Sequence, residues 1–170
     1  MTQRTLIELL YGKYAHANPI ACVEDVTAEL AARCPEGFPH SIWEVVWHVN
    51  YWMEYEIKRI RGENPAYPGH AAESWPSDAF PDEPDWNREV VRFASLIDEL
   101  AGLARSDEET LERQVRPPSG AADPSCSGEP VTVLDALWQT VVHNSYHVGQ
   151  VALLRRALGI WPPQSGGDSW

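Results

Sequence analysis

The sequence predicts an all-α protein, an up-down four-helix bundle with two long connecting loops, built as one domain over residues 1–170. Apolar residues recur at i, i+3 and i+4 along four segments, the signature of helices that bury one face. No stretch alternates apolar and polar residues as a half-buried strand would, and no internal repeat is present. Two long connections separate the last three segments, and both carry several prolines.

The first helix is expected over residues 3–17, where Leu6, Leu9, Leu10, Tyr14 and Ala17 form one stripe. Asn18-Pro19 breaks or kinks it, and residues 20–34 continue with weaker helical character. Pro35, Gly37 and Pro39 mark a connection. Ser41-Ile42-Trp43-Glu44 then reads as a capping box, in which the Ser41 hydroxyl serves an orphan N–H and Glu44 reaches back. A second helix over 42–61 follows, stopped by Gly62. Five prolines from Gly62 through Pro84 make the first long loop, and loops of that length in a compact domain usually carry function. A third helix over 85–105 is predicted from Trp86, Val90, Phe93, Ile97, Leu100 and Ala104, with a short helical piece at 107–115. Residues 116–130 form the second loop. Thr132 and Asp135 open a fourth helix over 133–158, Gly159 stops it, and the Pro- and Gly-bearing tail beyond is irregular.

Composition narrows the function. Of 170 residues, 44% are hydrophobic and 22% charged, as in ordinary globular proteins, and no apolar run is long enough to span a membrane. Glu8 stands where a secretory peptide would have its apolar stretch, so none is expected. Net charge is −12, from 25 acidic and 13 basic residues with no basic cluster, which argues against nucleic acid as a partner. Cys22, Cys34 and Cys126 are odd in number and lack C-x-x-C spacing, which suits a reducing cytoplasm. Eight tryptophans are more than a core of this size hides easily, so some are expected to line a cleft.

The chemistry concentrates in His143-Asn144-Ser145-Tyr146-His147-Val148-Gly149-Gln150. On a helix, His143 and His147 leave one face a turn apart and can share a first-row ion at about 2.0–2.1 Å from each nitrogen. Two ligands are too few for tight binding, and His48 on the second helix is the candidate third. Spacing alone is equally met by two partly buried histidines satisfied by water or carbonyls. The helical wheel brings the readings level, because Thr132, Ala136, Thr140, His143, His147, Gln150 and Leu154 share a stripe shaped like a pocket wall. A zincin is excluded, since Asn144 stands where the general-base glutamate belongs. A di-iron site is excluded too, since Glu44 lies four residues before His48 rather than three. What fits is a mononuclear site of three neutral nitrogens with an open position; nickel, iron and manganese suit that ligand type as zinc does.

Other residues have plainer readings. His16 is read as a hydrogen-bonded helix-end residue, and His40 and His70 as exposed. Trp43, Trp47 and Trp138 are read as core or oligomer contacts, and Trp52 as a pocket wall. Arg155 and Arg156 suit a helix C-terminus; a substrate carboxylate on Arg155 or Arg59 is the alternative.

Several stretches together carry a family resemblance. They are Ser41-Ile42-Trp43-Glu44 with His48 and Tyr51-Trp52, and His143-Asn144-x-Tyr146-His147-x-Gly149-Gln150 with Leu153-Leu154-Arg155-Arg156. With Ala15-His16-Ala17-Asn18-Pro19 and the tail from Trp161 to Trp170, they make nearly the whole chain resemble the DinB-like (YfiT-like) metal-dependent four-helix bundle superfamily. The resemblance implies one divalent ion, zinc first and nickel second, held by His48, His143 and His147. Read from this chain's own residues, Gln150, Glu44 and Tyr55 are the candidates to orient those histidines from behind, and Trp52 to wall the pocket. Relatives include thiol S-transferases using bacillithiol or mycothiol and a mycothiol-dependent isomerase. The function expected is therefore a transferase acting on small electrophiles in stress or detoxification, with a low-molecular-weight thiol. A metal-dependent hydrolase and a non-catalytic metal-binding stress-response bundle are the alternatives. The expected partners are a small-molecule substrate and a second copy in a homodimer, with no nucleic acid and no membrane. Protons should compete with the metal below about pH 6.5, the ordinary histidine range.

Overall fold

The computed structural model describes residues 3–116 and 130–166. In chain order the elements are α1 (Gln3–Leu10), α2 (Ala21–Glu24), α3 (Ala28–Ala32), α4 (Ile42–Ile60), a 3-10 turn (Ala71–Ser74), α5 (Glu83–Leu103), α6 (Glu108–Glu112) and α7 (Val133–Ala157). Among the described residues the one β-type pairing is an isolated bridge between Gln114 and Thr132. None of these helices is long and apolar enough to cross a membrane. The all-α class follows from the sequence pattern. Most of the second loop, with Cys126, and the end of the tail lie outside the described residues.

The three long helices begin and end where their signals stand. Ser41 and Glu44 form the capping box of α4, with the Ser41 N–H donating to the Glu44 carboxylate at 2.7 Å. Asp82 caps α5, ahead of Pro84 in its first turn, and Thr132 with Asp135 caps α7. Both α4 and α7 close with a glycine, Gly62 and Gly159, at positive φ.

The first helix is shorter than its stripe predicts. α1 stops at Leu10 because Gly12 enters the left-handed region at φ 76°. Its N–H donates to the Leu9 carbonyl at 2.9 Å while Lys13 N–H donates to Glu8 at 2.9 Å, a Schellman closure. A side chain at Gly12 would meet the Ala17 carbonyl at 2.6 Å, so the chain folds tightly back on itself there. Tyr14, placed on the buried stripe by periodicity, is instead 87% exposed at positive φ. The weaker segment after it splits at Asp25–Val26 into α2 and α3, with Thr27 capping the second piece.

α4 is central, packed along both α5 and α7, while α1 packs against α5 and α7 on the other side. Strict alternation of direction does not hold. Trp43 meets Trp86, Asn50 donates to Glu89 at 2.9 Å and Arg61 pairs with Glu99 at 2.8 Å, so α4 and α5 run the same way. Along α7 the numbers fall as those of α4 rise, from His48 beside His147 to Met53 beside Asn144. The physical reason is the proline-rich connection 61–82, which carries the chain back along the bundle before α5 begins.

Buried residues Leu6, Leu10, Ile42, Val45, Val49, Met53, Phe93, Ile97, Leu100, Leu137, Val141, Val148 and Val151 form one core shared by these four elements. Arg155 is buried against it and ties three segments together. Its guanidinium donates to Asp25 at 2.6 Å, the Cys22 carbonyl at 2.9 Å and the Ile160 carbonyl at 2.9 Å. Burial alone would raise the Asp25 carboxyl, but Arg155 and the Gln164 N–H hold it below its ordinary value. Arg155 therefore serves the fold, and so does Arg59, which is buried and donates to Glu56 and to the Arg116 carbonyl.

Candidate metal centre

Antiparallel packing of α4 on α7 brings His48 to the two histidines of α7. One ring nitrogen from each of His48, His143 and His147 lies within 4.8 Å of the others. The Nε2 atoms of His143 and His147 are 3.1 Å apart, and the His48 ring centroid is 4.9 Å from that of His147 and 5.4 Å from that of His143. His48 and His147 are buried and His143 is half-buried.

Two of the rings have their far nitrogen engaged. His48 Nδ1 is 2.9 Å from the Ser74 carbonyl, which can only accept, so the proton sits on Nδ1 and Nε2 keeps its lone pair. His147 Nδ1 is 2.7 Å from Gln150 Oε1, one turn on, which favours the same tautomer there. Burial lowers the His48 pKa from the ordinary 6.5 to about 4, opposed by the Ser74 hydrogen bond. Burial, with His147 and His48 alongside, lowers His143 to about 4 as well. Burial also lowers His147, against the Gln150 hydrogen bond. All three imidazoles are thus held neutral at physiological pH, the state a ligand needs.

These residues fit a divalent ion. Ligand nitrogens about 2.0–2.1 Å from a tetrahedral ion stand roughly 3.3 Å from each other, close to the separation already present between His143 and His147. The set supplies nitrogen alone, without thiolate or carboxylate, as in the open sites of catalytic zinc centres. Carbonyl and amide partners behind His48 and His147 match the outer support that metal-bound histidines almost always have.

A cleft of about 330 Å³ opens beside the cluster, lined by Trp52, Glu56, Gln139, Thr140 and His143. Trp52 stands edge-on to His48 at 6.3 Å and touches Tyr67 of the crossover at 5.7 Å, so it walls both the cluster and the cleft. Tyr55 lies behind Trp52 with its ring 5.4 Å away. Its hydroxyl is buried without a hydrogen-bond partner among the described residues, and burial pushes it up to about 12. Glu44 points elsewhere: its carboxylate serves the α4 cap and lines a different cavity with Cys34 and Phe80.

His16 is outside the cluster, with Nδ1 2.8 Å from the Ala17 carbonyl and Nε2 3.0 Å from Ser145 Oγ. His70 is exposed and caps the 3-10 turn. His40 departs from its reading as an exposed residue: it is half-buried and stacks on Trp75 at 3.8 Å. Sequence reasoning did not find Ser74, Trp75, Glu56 or Gln139. The prolines flagged the crossover as functional, yet no spacing rule says which loop residue reaches a ring on α4; Glu56, one turn after Trp52, was open to discovery on the wheel.

A family model described as the DinB superfamily matches residues 15–151, a span that includes all three histidines. No curated protein and no solved structure matches the chain.

Proposed function

The chain belongs to the DinB superfamily, and from that membership and the cleft beside its histidines we propose a divalent-metal-dependent transferase of the thiol S-transferase type. It joins a low-molecular-weight thiol to a small electrophile, in a reducing compartment that keeps Cys22 and Cys34 free. The observation that carries this reading is the opening of a 330 Å³ cleft onto His143. A purely structural site would be closed over by protein.

His48, His143 and His147 would hold a divalent ion, zinc first and nickel second, whose positive charge would favour the anionic form of a thiol bound beside it. The remaining work falls to the protein. Trp52 presents an apolar face that displaces water from an entering electrophile. Thr140 spends its proton on the Ala136 carbonyl at 2.9 Å, which leaves its oxygen as an acceptor at the cleft wall. Gln139 is exposed on the cleft lining and can orient a polar group in either sense. In the transfer, a sulfur lone pair forms the carbon–sulfur bond, the leaving group departs with the pair of the bond it breaks, and the thiol proton passes to solvent.

The test is metal analysis of the purified protein followed by a panel of electrophiles with several low-molecular-weight thiols, read by product mass. Turnover needing both metal and thiol, and lost in His143→Ala, is the expected result. Metal-dependent turnover that incorporates water without thiol would make the chain a hydrolase. Stoichiometric metal with no turnover on any pair would make it a binding protein.

A further inference from the structure

A histidine side chain does not by itself fix the direction of its lone pair. The torsion that turns the ring about its Cβ–Cγ bond is broad and roughly two-fold, so an imidazole needs outside contacts to hold a ligand geometry. For His147 the Gln150 amide, on the same helix, supplies one. For His48, beyond the edge of Trp52 on its own helix, the outside contacts come from the crossover between α4 and α5.

Two adjacent crossover residues act on that ring. The Ser74 carbonyl accepts from Nδ1 at 2.9 Å and pins one point in the ring plane. Trp75 lies flat on the ring, with centroids 4.1 Å apart and planes 16° from parallel, and so sets the plane itself. The indole is fixed in turn on its other face by His40, at 3.8 Å and 13°. The strap is braced within its own 3-10 turn on one side of this stack and fastened to α4 on the other. Ser74 is buried with its hydroxyl donating to the Ala71 carbonyl at 2.8 Å, and the Trp43 indole N–H donates to the Asp78 carbonyl at 2.7 Å. A single hydrogen bond would leave the ring free to swing about the Nδ1 contact. Hydrogen bond and stack together leave one orientation, with Nε2 turned toward His143 and His147.

We propose that Trp75 is a positioning residue for the metal centre, clamping the plane of His48 between the crossover and the α7 histidines, with His40 backing the clamp. The inference rests on the metal reading of the cluster and adds to it a part played by the loop, outside the ligand set. A ligand whose orientation is lost binds more weakly even when its nitrogen is present, and disturbing such outer support typically costs 10–100-fold in affinity.

The experiment compares zinc affinity, by competition with a chromophoric chelator, and the visible spectrum of the Co(II)-substituted protein. Wild type, Trp75→Phe, Trp75→Leu, Trp75→Ala and His40→Ala are each checked for native helix content. Trp75→Phe keeps a flat face and should stay within a few-fold of wild type with the same cobalt bands. Trp75→Leu keeps bulk without the face and should lose roughly 10–100-fold with altered band intensities, Trp75→Ala at least as much, and His40→Ala less. Equal zinc affinity and equal cobalt spectra for the Phe and Leu variants would overturn the clamp. That comparison decides the matter even if the alanine variant fails to fold. Absence of zinc binding by wild type would instead overturn the metal reading, and the clamp with it.

Discussion

His143 and His16 show how little residue type says without its partners. Both are half-buried histidines, but His16 has one nitrogen against the Ala17 carbonyl and the other against Ser145. His143 has Nε2 turned toward His147 instead. Elemental analysis should therefore find most of the metal gone from His48→Ala and His143→Ala and retained in His16→Ala. Full stoichiometric metal in His48→Ala would dismantle the triad. Burial also changes the pH dependence from what free histidine suggests. With His48 and His143 lowered to about 4 in the folded chain and His147 lowered as well, protons compete for the folded metal-free site at a lower pH than they do for free histidine. Metal affinity should therefore begin its fall below the ordinary histidine range near 6.5 and steepen as the pH approaches about 4, where His48 and His143 take up protons. The sign for folding follows from the same shift. Between pH 6.5 and 4 the unfolded chain binds more protons than the folded one, so the stability of the metal-free protein declines as pH falls through that window. Chelator competition across the range measures the first effect and urea unfolding the second. A tenfold loss of affinity between pH 6.5 and 5.5 would show that the imidazoles are solvated.

At the scale of an element, α4 is the piece on which cap, ligand and cleft wall are strung in sequence. Ser41 and Glu44 start it, His48 follows about two turns after the cap, and Trp52 and Glu56 continue the same face one and two turns beyond His48. Glu44 meets its obligation to the Ser41 N–H at the helix start and its other oxygen lies 3.9 Å from His40 Nδ1, which is why a carboxylate one turn from His48 is not turned toward the clustered imidazoles. Removing the cap should cost stability and leave the site in place. Ser41→Ala is expected to lower unfolding free energy by about 1 kcal/mol, read from the urea midpoint at unchanged slope, with zinc affinity within a few-fold of wild type. A large loss of zinc from this variant would mean that the first turn of α4, more than the crossover, governs His48.

For the whole molecule the question is whether the ion holds the bundle together or the bundle holds the ion. The core draws on α1, α4, α5 and α7 and on residues far from the histidines, among them Leu6, Ile57, Ile97, Leu100 and Leu137. The Arg155–Asp25 pair fastens the α2 turn and the segment after α7 without any metal. Burial on that scale favours folding by itself, unlike a zinc finger, whose few apolar residues cannot carry it. Circular dichroism after chelation should stay mostly helical, with a lower melting temperature because a ligand bound only by the folded state has been removed. Complete loss of helix would make the ion structural and would weigh against the transferase reading.

The family resemblance implied His48 as third ligand; by local signals the sequence itself specifies the all-α class, the long helices α4, α5 and α7 to within two residues, and the pairing of His143 with His147. Each rests on local physics: 3.6-residue periodicity, caps whose partners lie three residues away, and i, i+4 neighbours on one face. It misjudged α1, because the apolar stripe through Tyr14 and Ala17 outlasts the helix that Gly12 ends. It takes the packed fold to see that α4 and α5 run the same way, that Arg155 is an internal fastener, and that Trp75 lies flat between His40 and His48. Those facts depend on where a proline-rich crossover returns to the bundle and on which rings it meets there. Nothing in the spacing of residues along one chain encodes a contact between His48 and a tryptophan on a loop without a repeat, so only the packed molecule reveals it.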